Sequence, residues 1–329
     1  SAEQDIAGSD LPVQLVTGYY DFFHHDTVQD FFRLRARASK APVQLILGPW
    51  THGGSSRTKT QDYDFGPNAR LDIAAANLEW FDAHVKRAAQ HAGQHAGQPR
   101  VLPLVRYFVL GENRWRNADN WPPAESIPAS VYLRTGKKAS FEQPAAGEPA
   151  DSFSSDPSNP VPSIPPGRRD ISRAALWSPM DYTAVSERED VLSWTTNPLE
   201  KPLVFAGPLK AELWVEADTK DADWIVKLFA VPPRGMALPL AHGIARGSFA
   251  SAPPPGRRGR ITVDLGSTAA SVSSGHRLRI EIAGSSFPMY DRNLNTGEGP
   301  FGTRTAVARQ KVYHEPAMAS RIILPVLPE

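Results

Sequence analysis

The sequence predicts an α/β region followed by an all-β region: the last strands of a mostly parallel sheet, then a jelly-roll β-sandwich. Three observations lead there. Strand and helix signals alternate up to about residue 90, short strands of period two recur after about residue 100, and a small, polar stretch separates the two patterns. The boundary accordingly falls between 1–97, the C-terminal part of an α/β domain, and 98–329, the sandwich.

Each element has a local reason. Residues 11–17 (LPVQLVT) form a short apolar run closed by Gly18, which suits a buried strand. Residues 27–38 follow as a helix, with Asp26 or Thr27 available as N-cap. Residues 42–47 (PVQLIL) are a second buried strand, ending in Gly48 and Pro49. A longer helix covers roughly 70–87, where Leu71, Ala74, Leu78, Phe81 and Val85 step by three and four along one face. Residues 90–99 contain HAGQ twice and read as a linker rather than as a metal tract built on His91 and His95.

Beyond the linker the period changes. Ala211, Leu213 and Val215 alternate with more polar neighbours, as do Ile261, Val263 and Leu265, and Leu278, Ile280 and Ile282. Further strands are expected at 105–110, 130–133, 224–231 and 321–324. One polar and one apolar face per strand indicates antiparallel sheets packed face to face. Residues 145–166, rich in Pro, Ser and Asp, read as an extended surface loop.

Composition narrows the function. The 329 residues carry 41% apolar and 22% charged side chains, with a net charge of +1. That is a globular composition without the field that draws nucleic acid or an anionic membrane. There is no cysteine, which removes disulfides, thiolate metal sites and cysteine nucleophiles. No apolar run is long enough to span a bilayer, and residues 1–10 lack the basic start and apolar stretch of a signal peptide. The compartment stays open.

The candidate chemistry lies at two strand ends. Asp21 follows the first strand in GYYDFF, and His52 follows the second in GPWTHGG. Both belong at the carboxyl edge of a parallel sheet, where α/β enzymes place reactive groups. In α/β-hydrolases the triad runs Ser, Asp, His along the chain, so Asp21 before His52 suits its last two members. Loop residues with local hydrogen bonds are the alternative reading of this pair.

The wider wording favours catalysis. GYYDFF, LILGPWTHGG, LEWFDAHVK, RYFVLGENRWRNADNWPP, SSDPSNPVPS, REDVLSWTTNPLEKPLVFAGPL, SGHRLRIEIAGSSFPMYDRNLNTG and SRIILPVLP occur in that order along nearly the whole chain. Together they resemble the cocaine-esterase and X-Pro dipeptidyl-peptidase (CocE/NonD) family of acyl hydrolases, which includes α-amino acid ester hydrolases and a glutaryl-cephalosporin acylase. The resemblance implies that Asp21 is the triad acid and His52 the triad base. It also implies a C-terminal jelly roll of the galactose-binding-like kind, packed against the hydrolase domain and helping to wall the active site. Phe23 stands where the resemblance suggests an aromatic lining the acyl pocket, with plain core packing as the alternative.

One feature of the family is missing. Its members carry the nucleophile upstream, in a Gly-x-Ser-x-Gly turn, and no such motif occurs in these residues. The oxyanion-hole donors and helical cap would also lie upstream. The chain is therefore expected to be a C-terminal portion: a proteolytic product, one chain of a nicked enzyme, or a truncated form. The implied partners are a small ester, amide or short-peptide substrate and the upstream, serine-bearing part of the same enzyme, with homo-oligomerisation open. No cofactor, metal, nucleic acid or membrane is expected. The competing reading is a non-catalytic jelly-roll module for binding or oligomerisation.

Three other clusters read as structural. His24, His25 and Asp26 are adjacent, so their side chains diverge. Asp291, Asn293 and Asn295 start like a calcium loop, but the glycine comes one place late and the twelfth position holds no Glu. Asp218, Asp221 and Asp223 read as exposed turn charges.

Overall fold

The computed structural model describes residues 10–37, 40–86, 102–170, 172–247, 253–299 and 301–328. The expected linker at 90–99, with His91 and His95, lies outside the described residues. The chain divides into two compact units: residues 1–60 with 64–124, and residues 61–63 with 125–329.

In the first unit, β1 (Val13–Gly18) leads through helix α1 (His24–Ala36) to β2 (Val43–Gly48). The two strands pair in parallel, from Val13 opposite Val43 to Gly18 opposite Gly48. After the short strands β3 (Lys59–Thr60) and β4 (Tyr63–Asp64) comes helix α2 (Ile73–Phe81). Then β5 (Val105–Val109) pairs in parallel with β2, and β6 (Arg114–Ala118) pairs antiparallel with β5. The sheet order is β1-β2-β5-β6. All six residues of β2 are buried, because it has a strand on each side. Among the described residues β1 is the edge of this sheet and is only partly covered.

This contact-based division differs from the sequence-based boundary. Residues 105–110 were expected to open the sandwich, but they extend the parallel sheet, and the first unit runs to Ala124 instead of residue 97. An alternating strand carries no local sign of which sheet it joins; the partner comes from a distant part of the chain.

Both helices also differ from expectation. α1 starts at His24, not after Asp26. The Asp21 carboxylate accepts from the Phe23 N–H at 2.9 Å and the Asp21 carbonyl from the His24 N–H at 2.9 Å, so the turn is already closed before Asp26. α2 begins at Ile73 because Asp72 caps it, accepting from the Ala75 N–H at 3.0 Å. Its buried face is Ala76 and Trp80, with Ile73 half-buried, while Leu78 and Phe81 of the expected face are exposed. The bulk of Trp80 outweighs the longer but open Leu/Phe stripe.

The second unit is built from β7 (Ile127–Arg134), β8 (Lys138–Ser140), β9 (Asp151–Ser155), β10 (Val191–Thr195), β11 (Leu203–Ala217), β12 (Trp224–Val231), β13 (Leu238–Ala245), β14 (Gly259–Val272), β15 (Arg277–Ala283), β16 (Ala308–Val312) and β17 (Arg321–Val326). Among the described residues they form one hydrogen-bonded path, β13-β12-β15-β10-β8-β7-β17-β11-β16-β9, with β14 also on β11. β11 organises the unit: β14 pairs along most of its length, β17 and β16 take parts of its other edge, and the register shifts between Pro208 and Lys210. The alternation read at Ile261, Val263 and Leu265 is real, with all three buried and Arg260, Thr262 and Asp264 facing outward.

β12 departs from that pattern, being buried on both faces. The reason is the segment expected to be a surface loop at 145–166. It contains β9, and its Val161 and Ile164 join Met180, Tyr182 and Val185 in a cluster over Phe229 and Ala283. A run rich in Pro and Ser thus covers a second face of the sheet. Lys227, opposite Glu281 on β15, is buried there too, and burial lowers its pKa against the opposing pull of Glu281.

Candidate active site

Asp21 and His52 sit just past β1 and β2, and two glycines allow the loops to meet. The parallel ladder runs on beyond the strands: the Tyr19 N–H donates to the Gly48 carbonyl at 2.9 Å, and the Tyr20 N–H to the Trp50 carbonyl at 3.0 Å. A β-carbon on Gly18 would lie 2.1 Å from that Trp50 oxygen, and one on Gly48 would lie 2.4 Å from the Trp50 ring. Only glycine tolerates these approaches. Trp50 itself is buried and donates its indole N–H to the Ala69 carbonyl at 2.6 Å. The two loops are therefore held by backbone bonds one residue before the acid and two before the histidine.

The side chains complete the pair. His52 Nδ1 lies 3.1 Å from Asp21 Oδ2. The other carboxylate oxygen of Asp21 accepts the Phe23 N–H, so both oxygens are engaged. The Asp21 side chain is 10% exposed and that of His52 is 56% exposed. A sheltered acid behind an accessible imidazole leaves Nε2 as the ring nitrogen able to exchange a proton with a reacting group.

Two aromatics flank the imidazole. The Phe22 ring lies 5.0 Å from it with a 36° tilt, and the Phe23 ring lies 5.5 Å away, edge-on at 70°. The two phenyl rings contact each other at 4.4 Å. Phe23 is 50% exposed. Sequence reasoning missed Phe22; the signal available was its place beside the acid in a run of two phenylalanines.

The other clusters resolve differently. His24 is buried edge-on to Tyr19 while His25 is exposed, so the adjacent histidines face different surroundings. The two acidic turns of the second unit converge. Asn293 donates to Asp223 Oδ1 at 2.8 Å, and Arg246 donates to Asp223 Oδ2 at 3.0 Å and to the Asp291 carbonyl at 3.2 Å. Asp223 is buried, not an exposed turn charge, and burial pushes its pKa up against the hydrogen bond from Asn293 and the charge of Arg246. The Asp223 carboxylate is thus occupied by Arg246 and Asn293.

Residues 100–323 match the family model of the X-Pro dipeptidyl-peptidase C-terminal non-catalytic domain. The chain belongs to this family, as the C-terminal portion of a CocE/NonD hydrolase. The chain is 29% identical to the cocaine esterase of Rhodococcus sp. (strain MB1 Bresler) over 98% of its own length and 57% of that protein. It is 27% identical to a protein named as a serine esterase from Mycobacterium bovis, covering 51% of it. The fold is similar to that of an aminopeptidase from a marine sediment Thaumarchaeota archaeon, with a TM-score of 0.85 and 26% identity over 99% of this chain and 57% of that one. An α-amino acid ester hydrolase gives 0.83 and 26% over 98% and 57%. The CocE/NonD chain thus spans a little over half the length of the relatives it matches.

Proposed function

We propose that this chain is the part of a serine hydrolase that supplies the acid and base of a Ser-His-Asp triad, Asp21 and His52. The enzyme cleaves ester or amide bonds, of acyl or X-Pro dipeptidyl type, through an acyl-enzyme, and its serine lies on the upstream portion to which the relatives extend. The observation that carries this reading is the 3.1 Å contact of His52 Nδ1 with a sheltered Asp21 at the carboxyl edge of adjacent parallel strands. The family segment described as non-catalytic begins at residue 100, after both groups. A purely binding or oligomerisation module has no use for such a pair.

The roles follow from the geometry. Asp21 fixes the proton on Nδ1, which leaves Nε2 unprotonated and able to take the proton of the serine hydroxyl as it attacks the carbonyl carbon. The imidazolium formed is stabilised by the carboxylate and then gives the proton to the departing alcohol or amine. Water repeats the cycle on the acyl-enzyme. Phe23, half-exposed beside the imidazole, lines the acyl side of the site. The second unit is a galactose-binding-like jelly roll without a catalytic group; its long antiparallel strands with alternating burial support that assignment.

A label tests it. Residues 1–329 alone leave p-nitrophenyl esters at the histidine background and take up no fluorophosphonate, whereas the enzyme containing the upstream portion takes up one equivalent on a serine outside this chain. Stoichiometric labelling of a serine within residues 1–329 overturns the proposal.

A further inference from the structure

Asp21 holds His52 at one atom only. A single hydrogen bond at Nδ1 lets an imidazole swing about the bond axis, and a swing moves Nε2 off any fixed target. Within residues 1–329, 56% of the His52 side chain is exposed, so burial by this chain does not hold it. The turn that carries His52 is closed by the Gly54 N–H donating to the Thr51 carbonyl at 3.0 Å, which fixes its backbone but not the imidazole; Gly53, which follows, has no side chain to pack on the ring. Among the described residues the ring contacts to His52 come from Phe22 and Phe23.

The two contacts differ in kind. Phe23 touches the imidazole with an edge-on ring, and its backbone N–H is spent on the acid. Phe22 meets the imidazole at 5.0 Å with a 36° tilt, closer to parallel than Phe23, an arrangement that opposes rotation about the Asp21 bond. Phe22 is braced in turn against Phe23 at 4.4 Å. It is also the immediate neighbour of Asp21, so one turn of backbone delivers both the hydrogen-bond acceptor and the ring that packs on the base.

We infer that Phe22 is a positioning residue: its ring packs on the His52 imidazole and holds Nε2 in the orientation that Asp21 alone leaves free. This rests on the catalytic reading of His52, but the packing itself is testable without it. The phenyl ring works by its face, so tyrosine replaces it and alanine does not.

The first measurement uses residues 1–329 and diethyl pyrocarbonate, following carbethoxylation of the His52 peptide by mass spectrometry. Phe22→Ala raises the His52 rate about threefold or more as the ring loses its cover, while Phe22→Tyr keeps the parent rate and both variants keep the parent melting temperature within a few degrees. The second uses the enzyme with its upstream portion. Phe22→Ala lowers kcat about tenfold with KM within twofold, as expected for a displaced base, and Phe22→Tyr restores it. Unchanged labelling and unchanged kcat in Phe22→Ala overturn the inference, as does a rise in KM alone, which would make Phe22 a substrate contact. His52→Ala run beside them separates the two ideas. If His52→Ala stays fully active, the catalytic reading fails, and the labelling rates alone decide whether Phe22 packs on the ring.

Discussion

The parallel sheet of the first unit and the antiparallel sheet of the second use the same kinds of residue to opposite ends. In the first, β1 and β2 end together and their loops carry Asp21 and His52 to one edge. In the second, strand ends are tied into ion pairs and caps, as at Arg134–Glu148 and Arg246–Asp223. A parallel sheet gathers all its carboxyl ends on one side, so polar groups there meet each other and remain available to a ligand. Antiparallel strands alternate in direction, and their turns satisfy polar groups locally. The proposed acid–base pair thus belongs to the smaller sheet and most of the buried core to the larger one.

Substitutions at the His–Asp pair test that division most severely. In the enzyme with its upstream portion, His52→Ala and Asp21→Asn each lower kcat by about 10⁴-fold, and His25→Ala leaves it within twofold. An inactive His25→Ala enzyme beside an active His52→Ala enzyme would move the chemistry to His25. In the second unit the comparable loss is in stability. Phe229→Ala removes a fully buried ring between Tyr182, Trp177 and the guanidinium of Arg279, and costs about 4 kcal/mol in denaturant unfolding. A cost near 1 kcal/mol would show that the cover over β12 is loosely packed.

Hydrogen exchange sharpens the contrast within the first sheet. With β5 found on its far side, β2 is central and is expected to match β11 and β15. β1, with no second partner among the described residues, is expected to open about thirtyfold more readily, roughly 2 kcal/mol. Equal protection of β1 and β2 would show that this edge is covered.

The smallest effect concerns Glu148. Burial pushes its carboxyl up, but hydrogen bonds from Arg134 and from the N–H groups of Thr135 and Ala145 outweigh burial and hold it down at about 2. Its folded pKa is depressed below the ordinary 4.5, so its stabilisation is present above about pH 4.5 and is lost as pH falls towards 2. Glu148→Gln lowers stability at neutral pH by on the order of 1 kcal/mol and flattens that part of the acid profile. An unchanged slope between pH 4.5 and 2 would remove Glu148 as a contributor.

Local pattern made a good deal of this molecule legible. The strand positions of β1 and β2, the alternation in β14, and the placing of Asp21 and His52 at strand ends all follow from apolar runs closed by glycine, because such runs act over a few residues. The wording shared with the family implies catalytic roles for that pair. What local pattern could not reach were choices made between distant segments. Residues 105–109 pair with β2 because Leu45 and Val105 meet across the sheet, an encounter that leaves no mark in either stretch. Leu78 and Phe81 look like a buried face until Trp80 takes the contact. A Pro- and Ser-rich run becomes core cover once Val161 and Ile164 find the second face of β12 and β15. Phe22 gains its place on His52 only when Gly18 and Gly48 let two loops close to hydrogen-bonding distance. Period and composition act through a residue's neighbours in the chain, whereas pairing, burial and ring contact depend on partners that chain folding alone brings near.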